Sequence, residues 1–499
     1  MRYSSATWTD LAPVLRGVGF LLHTPAAMAL VSMAVCLLAD EPYGLTGFAA
    51  VAAVTVVPGQ AMLWTTRQAP PMQRFHAMRI AAIAWLLISM AGLLPFVISA
   101  HLAPAGGARA AMQAFRDPVM ALFESVSGFS STGLTVAPSA AALPAHIQWW
   151  RSFTEWVGGI GVILLLLTVL PAERSSLNLY FSEAREEKIL PTVKSTVRAI
   201  WIIYIGYTAV SVCLLWLTGE PAWQALNHAM TAISTGGFSI TDDSLASSPP
   251  LAQAIYLPLM VLGATSFATH YRLLRERRVL ATLRDSPELK LFAFLLAAGT
   301  VAVTLERWHF AGIIDPFTAA LQWVSALTTT GFSSDTVANW EPATLLLLVF
   351  AMIIGAMGGS TGSGIKQARL AILMRDLAWN LRSFRSTRHE VVRIAFGARR
   401  LSPDAMSTLA LNAALLCAAY LLVWVAGVMI LLHVVPADTP LEHVFFEAAS
   451  AQGNVGLSTG ITGAHMSTPA ALVLIVLMLA GRLEIFPIIV LLAWILRQR

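Results

Sequence analysis

The chain repeats one short pattern four times: FESVSGFSSTGLTV at 123–136, NHAMTAISTGGFSI at 227–240, LQWVSALTTTGFSS at 321–334 and FEAASAQGNVGLST at 446–459. In each copy a small or polar pair precedes a glycine, which is followed by a bulky apolar residue and then Ser or Thr. Repetition of this kind indicates several copies of one structural unit. The four central glycines are Gly133, Gly237, Gly331 and Gly456.

Each copy begins with a signal for the start of a helix. A proline lies 15 or 16 residues before each glycine and follows Asp, Glu or Thr: Asp117–Pro118, Glu220–Pro221, Asp315–Pro316 and Thr439–Pro440. Asp or Thr at the N-cap with proline at the first helical position favours a helix start, whereas Glu is a weaker cap. Nine residues before each glycine stands a polar residue, which we expect to hydrogen-bond loop backbone or hydroxyls: Glu124, His228, Gln322 and Glu447.

The composition indicates a protein embedded in a lipid bilayer. Of the 499 residues 57% are hydrophobic and 12% are charged, and the mean hydropathy is +0.69. These values lie outside the range of soluble domains. A helix needs about 20 apolar residues to cross the hydrocarbon. With their flanks, the stretches that qualify are 22–38, 81–100, 159–171, 196–217, 291–305, 343–357, 406–434 and 469–495.

The short helix of each repeat, about ten residues long, cannot cross a bilayer and leads into glycine-containing extended backbone. This pattern predicts a re-entrant loop, which is tolerated at membrane depth where protein buries it or where it lines a water-filled cavity. Helices that enter from outside turn their partly negative C-terminal ends towards the membrane centre, which favours a cation. Glycine lets successive carbonyl oxygens face one axis and replace the hydration shell of an alkali cation. In the alternative interpretation the glycines are turn residues of external loops.

Basic residues are distributed unevenly between the loops. Lys and Arg cluster at 67–79, 272–290 and 366–400, whereas the loops 135–146, 241–250 and 457–467 contain neither. Because positive residues accumulate on cytoplasmic loops, the first set is predicted to be cytoplasmic and the second external. The alternation with apolar spans favours membrane topology over binding to nucleic acid, so we expect no nucleic-acid partner.

Four further motifs carry a family resemblance: RSFTEWVGGIGV at 151–162, LMVLGATSFATHYRLL at 259–274, GAMGGSTGSGIK at 355–366 and AGRLEIFP at 480–487. With the repeats, they make the chain resemble the Trk/Ktr/HKT superfamily of potassium transporters, most closely the bacterial Trk-type potassium uptake membrane subunit. The resemblance implies an all-α integral membrane protein with four pseudo-symmetric helix–pore-loop–helix repeats around one ion pore, plus two extra N-terminal transmembrane helices. We expect ten spanning helices, with the N-terminal pair at 1–70 and the repeats at 71–175, 190–280, 286–400 and 401–499.

The resemblance also implies which residues form an ion filter. In that family glycine at the central position of all four repeats accompanies potassium selectivity, whereas serine in the first repeat accompanies a preference for sodium in plant relatives. The filter residues implied here are Ser131, Thr132, Gly133, Thr235, Gly236, Gly237, Thr329, Thr330, Gly331, Asn454, Val455 and Gly456. The expected bound species is a potassium ion, and no organic cofactor is expected in this chain. The alternative is a sodium or weakly selective monovalent cation channel or symporter.

A glycine-rich run at 355–364 lies where the second helix of the third repeat should cross the membrane. Five glycines in ten residues break a helix there. The resemblance implies an intramembrane gating loop, and the alternatives are a flexible connector or a close-packing contact of small residues. The gate residues implied are Gly358, Gly359, Ser360, Thr361, Gly362, Ser363, Gly364, Lys366 and Arg482.

Arg482 lies about half-way along the apolar stretch 469–495. A charge at that depth is costly unless it faces a cavity or a partner, so Arg482 is a candidate functional residue. It matches the arginine that the family places beneath the filter, where it would repel a passing cation. The alternative is a structural ion pair with Glu484 or another carboxylate.

These features predict potassium uptake across a bacterial cytoplasmic membrane by a multi-pass protein in contact with membrane lipid. The resemblance implies a homodimer and a cytosolic nucleotide-binding regulatory subunit of the Trk type. A membrane-embedded enzyme using Glu124, Glu447 and His228 is a second hypothesis, but no catalytic motif supports it. A sensor or scaffold derived from a pore is a third.

Overall fold

The computed structural model describes residues 8–161, 192–275, 279–383, 394–396 and 399–496. In these ranges the chain is helical apart from two short antiparallel strands, Ile394–Phe396 and Arg399–Leu401, with Ala395 opposite Arg400. Most of the predicted span at 159–171 lies outside the described residues, as do residues 384–393 of the basic stretch.

The helices follow one another from the N-terminus to the C-terminus with short connections. Their bounds are Trp8–Leu21, His23–Leu38, Leu45–Thr65, Arg74–Gly92, Leu94–Leu102, Gly107–Ala111, Pro118–Phe129, Ala145–Ile160, Val193–Leu217, Ala222–Ile233, Pro250–Ala264, Phe267–Leu274, Val279–Asp285, Pro287–Ala311, Pro316–Leu327, Pro342–Ile354, Gln367–Ser383, Pro403–Val434, Leu441–Gly453, Thr468–Arg482 and Phe486–Leu496. Three short 3₁₀ helices, Pro42–Gly44, Gln113–Arg116 and Val337–Asn339, lie between them.

Several helices have the length and composition of membrane spans. Among the described residues six stretches meet that test, and two bent helix pairs bring the number to eight. The bent pairs are Pro250–Ala264 with Phe267–Leu274, at 105°, and Thr468–Arg482 with Phe486–Leu496, at 110°. Only 17% of the apolar window of Pro287–Ala311 is buried inside the protein, so this helix turns an apolar face outwards, as contact with lipid requires. The total of ten spans stays a prediction.

The four predicted short helices are present as Pro118–Phe129, Ala222–Ile233, Pro316–Leu327 and Leu441–Gly453. Asp117 caps the first by accepting a hydrogen bond from the Val119 N–H at 2.8 Å, and Asp315 caps the third in the same way. The predicted cap at Thr439 is wrong, because Pro440 takes the N-cap position and no side chain caps that helix. Pro221 likewise occupies the N-cap of the second short helix, while Glu220 accepts from the Ser248 and Tyr256 hydroxyls.

Each short helix packs against the helix that follows it, and glycines mark the closest approach. A Cβ atom on Gly158, Gly263 or Gly481 would collide with a carbonyl oxygen in the last turn of the short helix of the same repeat. Counted from the helix starts at Ala145, Pro250 and Thr468, these three glycines occupy the same position. Gly355 holds that position in the third repeat, where the helix from Pro342 ends. The four repeats therefore share one internal register.

The N-terminal helices attach to the first repeat through Glu41. Its carboxylate accepts the backbone N–H groups of Ala145 and His146, both at 3.0 Å, and so caps the helix Ala145–Ile160 from another part of the chain. The His146 ring contacts the same carboxylate at 2.5 Å and the Ser99 hydroxyl at 2.9 Å. Burial acts to raise the pKa of Glu41, but the hydrogen bonds from His146 and Ala145 outweigh it and lower that pKa.

Candidate functional site

The backbone after each short helix follows one unusual course. We call residues 131–133, 235–237, 329–331 and 454–456 the ring segments. Their first residues have φ between 51° and 56°, and the glycines that end them have φ between 79° and 100°. Left-handed backbone at alternate positions turns successive carbonyl oxygens to one side of a chain, and a non-glycine residue adopts it at a cost of about 1–3 kcal/mol. A conformation this rare, repeated in four places, indicates a functional constraint.

The four ring segments surround one axis in chain order. A Cβ atom on Gly133 would collide with the carbonyl oxygen of Gly236. The same relation joins Gly237 to Thr330, Gly331 to Val455 and, closing the circle, Gly456 to Thr132. All twelve predicted filter residues thus come together in a ring of backbone, which we call the carbonyl ring. Neither the space nor the backbone dihedral at the four glycines admits an L side chain.

The polar residues nine positions before the glycines support the ring segments from behind, as predicted. Glu124 accepts from the Thr135 hydroxyl at 2.8 Å and from the Val136 N–H at 2.9 Å. The remaining three bind the same place in their own repeats: His228 at Ser239 and Ile240, Gln322 at Ser333, and Glu447 at Ser458 and Thr459. All four side chains are fully buried, and their partners lie just after the ring segments.

Two buried charged residues that the sequence interpretation left without a role also hold this region. Arg151 donates to Glu124 at 2.7 Å and to the Ser239 carbonyl at 2.9 Å, with its guanidinium 4.0 Å from the centre of the Phe238 ring. Glu155, four residues further along the helix, accepts from the Phe238 N–H at 3.1 Å. The signal in the sequence is a pair of charges at i and i+4 within a largely apolar helix, which places both on one face.

The glycine-rich run breaks its helix at Gly355, as predicted, and contacts the ring segments. Thr361 donates to the Gly263 carbonyl at 2.8 Å and accepts from the Thr235 hydroxyl at 3.2 Å. The Ser363 N–H donates to the Thr329 hydroxyl at 3.0 Å. The loop therefore lies against the first residues of the second and third ring segments, on the side where the short helices end.

Arg482 lies beside this loop. Its guanidinium donates to the carbonyl oxygens of Thr361 at 3.0 Å and Gly159 at 2.9 Å, and also to that of Gly158. By the register of the repeats, Arg482 stands where the other three have Gly159, Ala264 and Ala356. The alternative ion pair with Glu484 is wrong, because that carboxylate pairs with Arg369 instead.

A cavity of about 50 Å³ opens where the loop and Arg482 meet. Its lining includes Ser360, Gly362, Ser363, Lys366 and Arg482, all predicted gate residues. The Lys366 ammonium donates to the Gly362 carbonyl within the loop. The volume has room for one or two water molecules among polar partners, so the site is suited to a hydrated path and not to a large ligand.

The chain beyond Arg482 turns sharply. Glu484 and Ile485 both have positive φ, 52° and 66°, and the helix continues from Phe486 at 110° to its first half. A left-handed conformation is unusual for a β-branched residue such as Ile485. The contact of Glu484 with Arg369, on the helix that follows the glycine-rich loop, fixes this bend.

Comparison with known proteins identifies the family. The model of the TrkH family, described as a cation transport protein, matches residues 46–499. The chain belongs to the TrkH family. TrkH-family proteins similar to it include the Trk system potassium uptake protein TrkH of Salmonella typhimurium, 29% identical over 88% of this chain and 89% of that protein. An uncharacterized cation transporter of Methanocaldococcus jannaschii is 30% identical over 84% of this chain and 82% of the relative.

The fold agrees with a solved TrkH structure. The crystal structure of the potassium transporter TrkH from Vibrio parahaemolyticus matches with a TM-score of 0.81 at 26% identity, over 97% of this chain and 98% of that one. The family and the all-helical fold predicted from the sequence are thereby confirmed. As a TrkH-family protein the chain is a multi-pass membrane cation transporter and not an enzyme.

Proposed function

We propose that the protein takes up potassium through the carbonyl ring. The observation that carries this proposal is the closed circle of contacts among Gly133, Gly237, Gly331 and Gly456, each packed against the carbonyl that precedes the next glycine. Backbone carbonyls held at fixed positions substitute for the water around a weakly hydrated alkali cation. The relatives named Trk system potassium uptake protein support potassium as the ion.

The helices that end at the ring favour a cation there. The short helices end within one or two residues of the ring segments, and their C-terminal ends carry partial negative charge. Two carboxylates behind the ring, Glu124 and Glu447, add to that field, and Arg151 offsets part of it. Potassium enters from the external side and leaves past the glycine-rich loop.

Selectivity is assigned to the four glycines together. A side chain on any of them would collide with the neighbouring carbonyl, so the ring would widen or tilt. Gly133→Ser should move the preference towards sodium, as measured by reversal potentials with potassium on one side and sodium on the other. An unchanged preference would favour the alternative of a weakly selective cation pathway that does not depend on the ring.

The gate is assigned to the glycine-rich loop and Arg482. The loop spans from the ring segments to Glu288, whose carboxylate accepts the Gly358 N–H at 2.6 Å. Arg482 ties the loop to Gly158 and Gly159 of the first repeat and sets a positive charge in the cavity. Opening requires both to move, since together they fill the path beneath the ring.

The assembly that we propose is a homodimer in the bacterial cytoplasmic membrane with a cytosolic nucleotide-binding regulatory subunit. The helix Gln367–Ser383 directly follows the loop and exposes Arg375 and Arg382, so a partner bound there is placed to move the gate. The double variant Arg375→Glu/Arg382→Glu should weaken copurification with that subunit. Unchanged copurification would exclude this surface.

The decisive experiment is rubidium uptake into liposomes that contain the purified protein, with and without imposed sodium and proton gradients. Uptake down the rubidium gradient alone is the expected result. Uptake that needs a sodium or proton gradient would point to symport, and no uptake under any condition would overturn the proposal.

A further inference from the structure

The second ring segment differs from the others at its middle residue. Thr132, Thr330 and Val455 carry side chains at that position, whereas the second repeat has Gly236. Thr132 uses its hydroxyl to contact the Asn454 amide at 2.9 Å, and Thr330 contacts the Thr328 hydroxyl at 2.8 Å. Gly236 does not adopt a left-handed φ, so the backbone itself does not demand glycine.

The space that a side chain on Gly236 would occupy is filled by Glu155. A Cβ atom built on Gly236 falls on the carboxyl group of Glu155, and the fully buried carboxylate accepts the Phe238 N–H at 3.1 Å. The backbone of Glu155 also serves the first ring segment, since its carbonyl accepts from the Ser131 hydroxyl at 2.9 Å. Glu155 therefore joins the ring segments of two repeats.

This arrangement occurs in only one repeat. By the register that the glycines define, the positions equivalent to Glu155 are Met260, Met352 and Met478. A methionine cannot accept a strong hydrogen bond from a backbone N–H. The lost side chain at Gly236 and the gained carboxylate at Glu155 thus form a matched exchange between the first and second repeats.

We propose that Glu155 is a positioning residue that sets the selectivity of the second ring segment. It does so by filling the missing side-chain position at Gly236 and by holding the Phe238 N–H directly after Gly237. This inference rests on the proposed potassium filter. A buried N–H without an acceptor is unfavourable, so removal of the carboxylate lets the segment turn and admits the smaller, more strongly hydrated sodium ion.

The test is the potassium-to-sodium permeability ratio of reconstituted variants, measured from bi-ionic reversal potentials. Glu155→Met, which installs the residue of the other three repeats, should lower the ratio on the order of tenfold, the factor expected for an unsatisfied buried donor. Glu155→Gln keeps an acceptor and the volume and should retain the wild-type ratio. Gln148→Met is the matched control, because Gln148 is buried on the same helix but contacts Ala140 and Trp223 instead of a ring segment.

A second pair of variants tests the exchange of volume directly. Gly236→Thr should reduce the ratio in the wild-type background, where the new side chain meets the carboxylate, and should be tolerated better together with Glu155→Ala. A wild-type ratio for Glu155→Met, or equal ratios for Gly236→Thr with and without Glu155→Ala, would overturn the role of Glu155. A wild-type protein that does not discriminate potassium from sodium would instead overturn the proposed filter. If Glu155→Met does not fold, the Gly236 pair decides alone.

Discussion

Replacement of Arg482 by alanine should increase potassium flux by about 100-fold. An ion in the cavity of about 50 Å³ that Arg482 lines cannot be far from its guanidinium. At about 6 Å and an effective dielectric near 20, the repulsion between two unit charges is about 3 kcal/mol. Removal of a barrier of that size corresponds to about 100-fold in rate. The variant also loses the hydrogen bonds from Arg482 to Thr361 and Gly159, which loosens the loop in the same direction.

Two controls separate the charge of Arg482 from a general loss of structure. Arg482→Lys keeps the positive charge but not the forked donor geometry, so its flux should remain near that of the wild type. Arg307→Ala removes another nearly buried arginine, which pairs with Asp335 at 3.5 Å and lies over Trp340 outside the cavity. Rubidium uptake into liposomes is the assay. Flux from Arg482→Ala at or below the wild-type level, with normal flux from Arg307→Ala, would refute the reasoning.

Three other predictions follow from the same contacts. Gly331→Ala, at φ 90° and against the Val455 carbonyl, should abolish discrimination between potassium and sodium, whereas Gly463→Ala, in open space, should not; bi-ionic reversal potentials measure both. Deletion of residues 355–364 should raise rubidium uptake, and unchanged uptake would favour a simple connector. Glu41→Gln should lower stability by about 1–2 kcal/mol near neutral pH; because the pKa of Glu41 is lowered on folding, this difference should vanish as the pH falls through that pKa, as followed by thermal unfolding in detergent.

The repeated parts of the site could be predicted from the sequence because each is specified locally. A proline, a polar residue and a glycine recur at nearly fixed spacing, so the short helices, the buried residues such as Glu447 and the four glycines of the carbonyl ring follow from the pattern. The break at Gly355 was predictable for the same reason, since glycines cluster there. The cap at Thr439 failed because a shift of one residue at a helix boundary changes which group is the N-cap.

The unpredicted contacts join distant repeats. Arg151 and Glu155 act on Phe238 and Ser239 of the second repeat, and no spacing within their own repeat announces those partners. The ion pair of Arg369 with Glu484 links the third and fourth repeats in the same way. Sequence periodicity describes what each unit shares, whereas these side chains are where the units differ.

The ratio of potassium to sodium permeability of the reconstituted wild-type protein tests the central claim most directly. With potassium on one side of the bilayer and sodium on the other, the carbonyl ring of four glycines predicts a reversal potential displaced well towards the potassium equilibrium. A reversal potential near zero, or one displaced towards sodium, would contradict the account of the ring as a potassium filter.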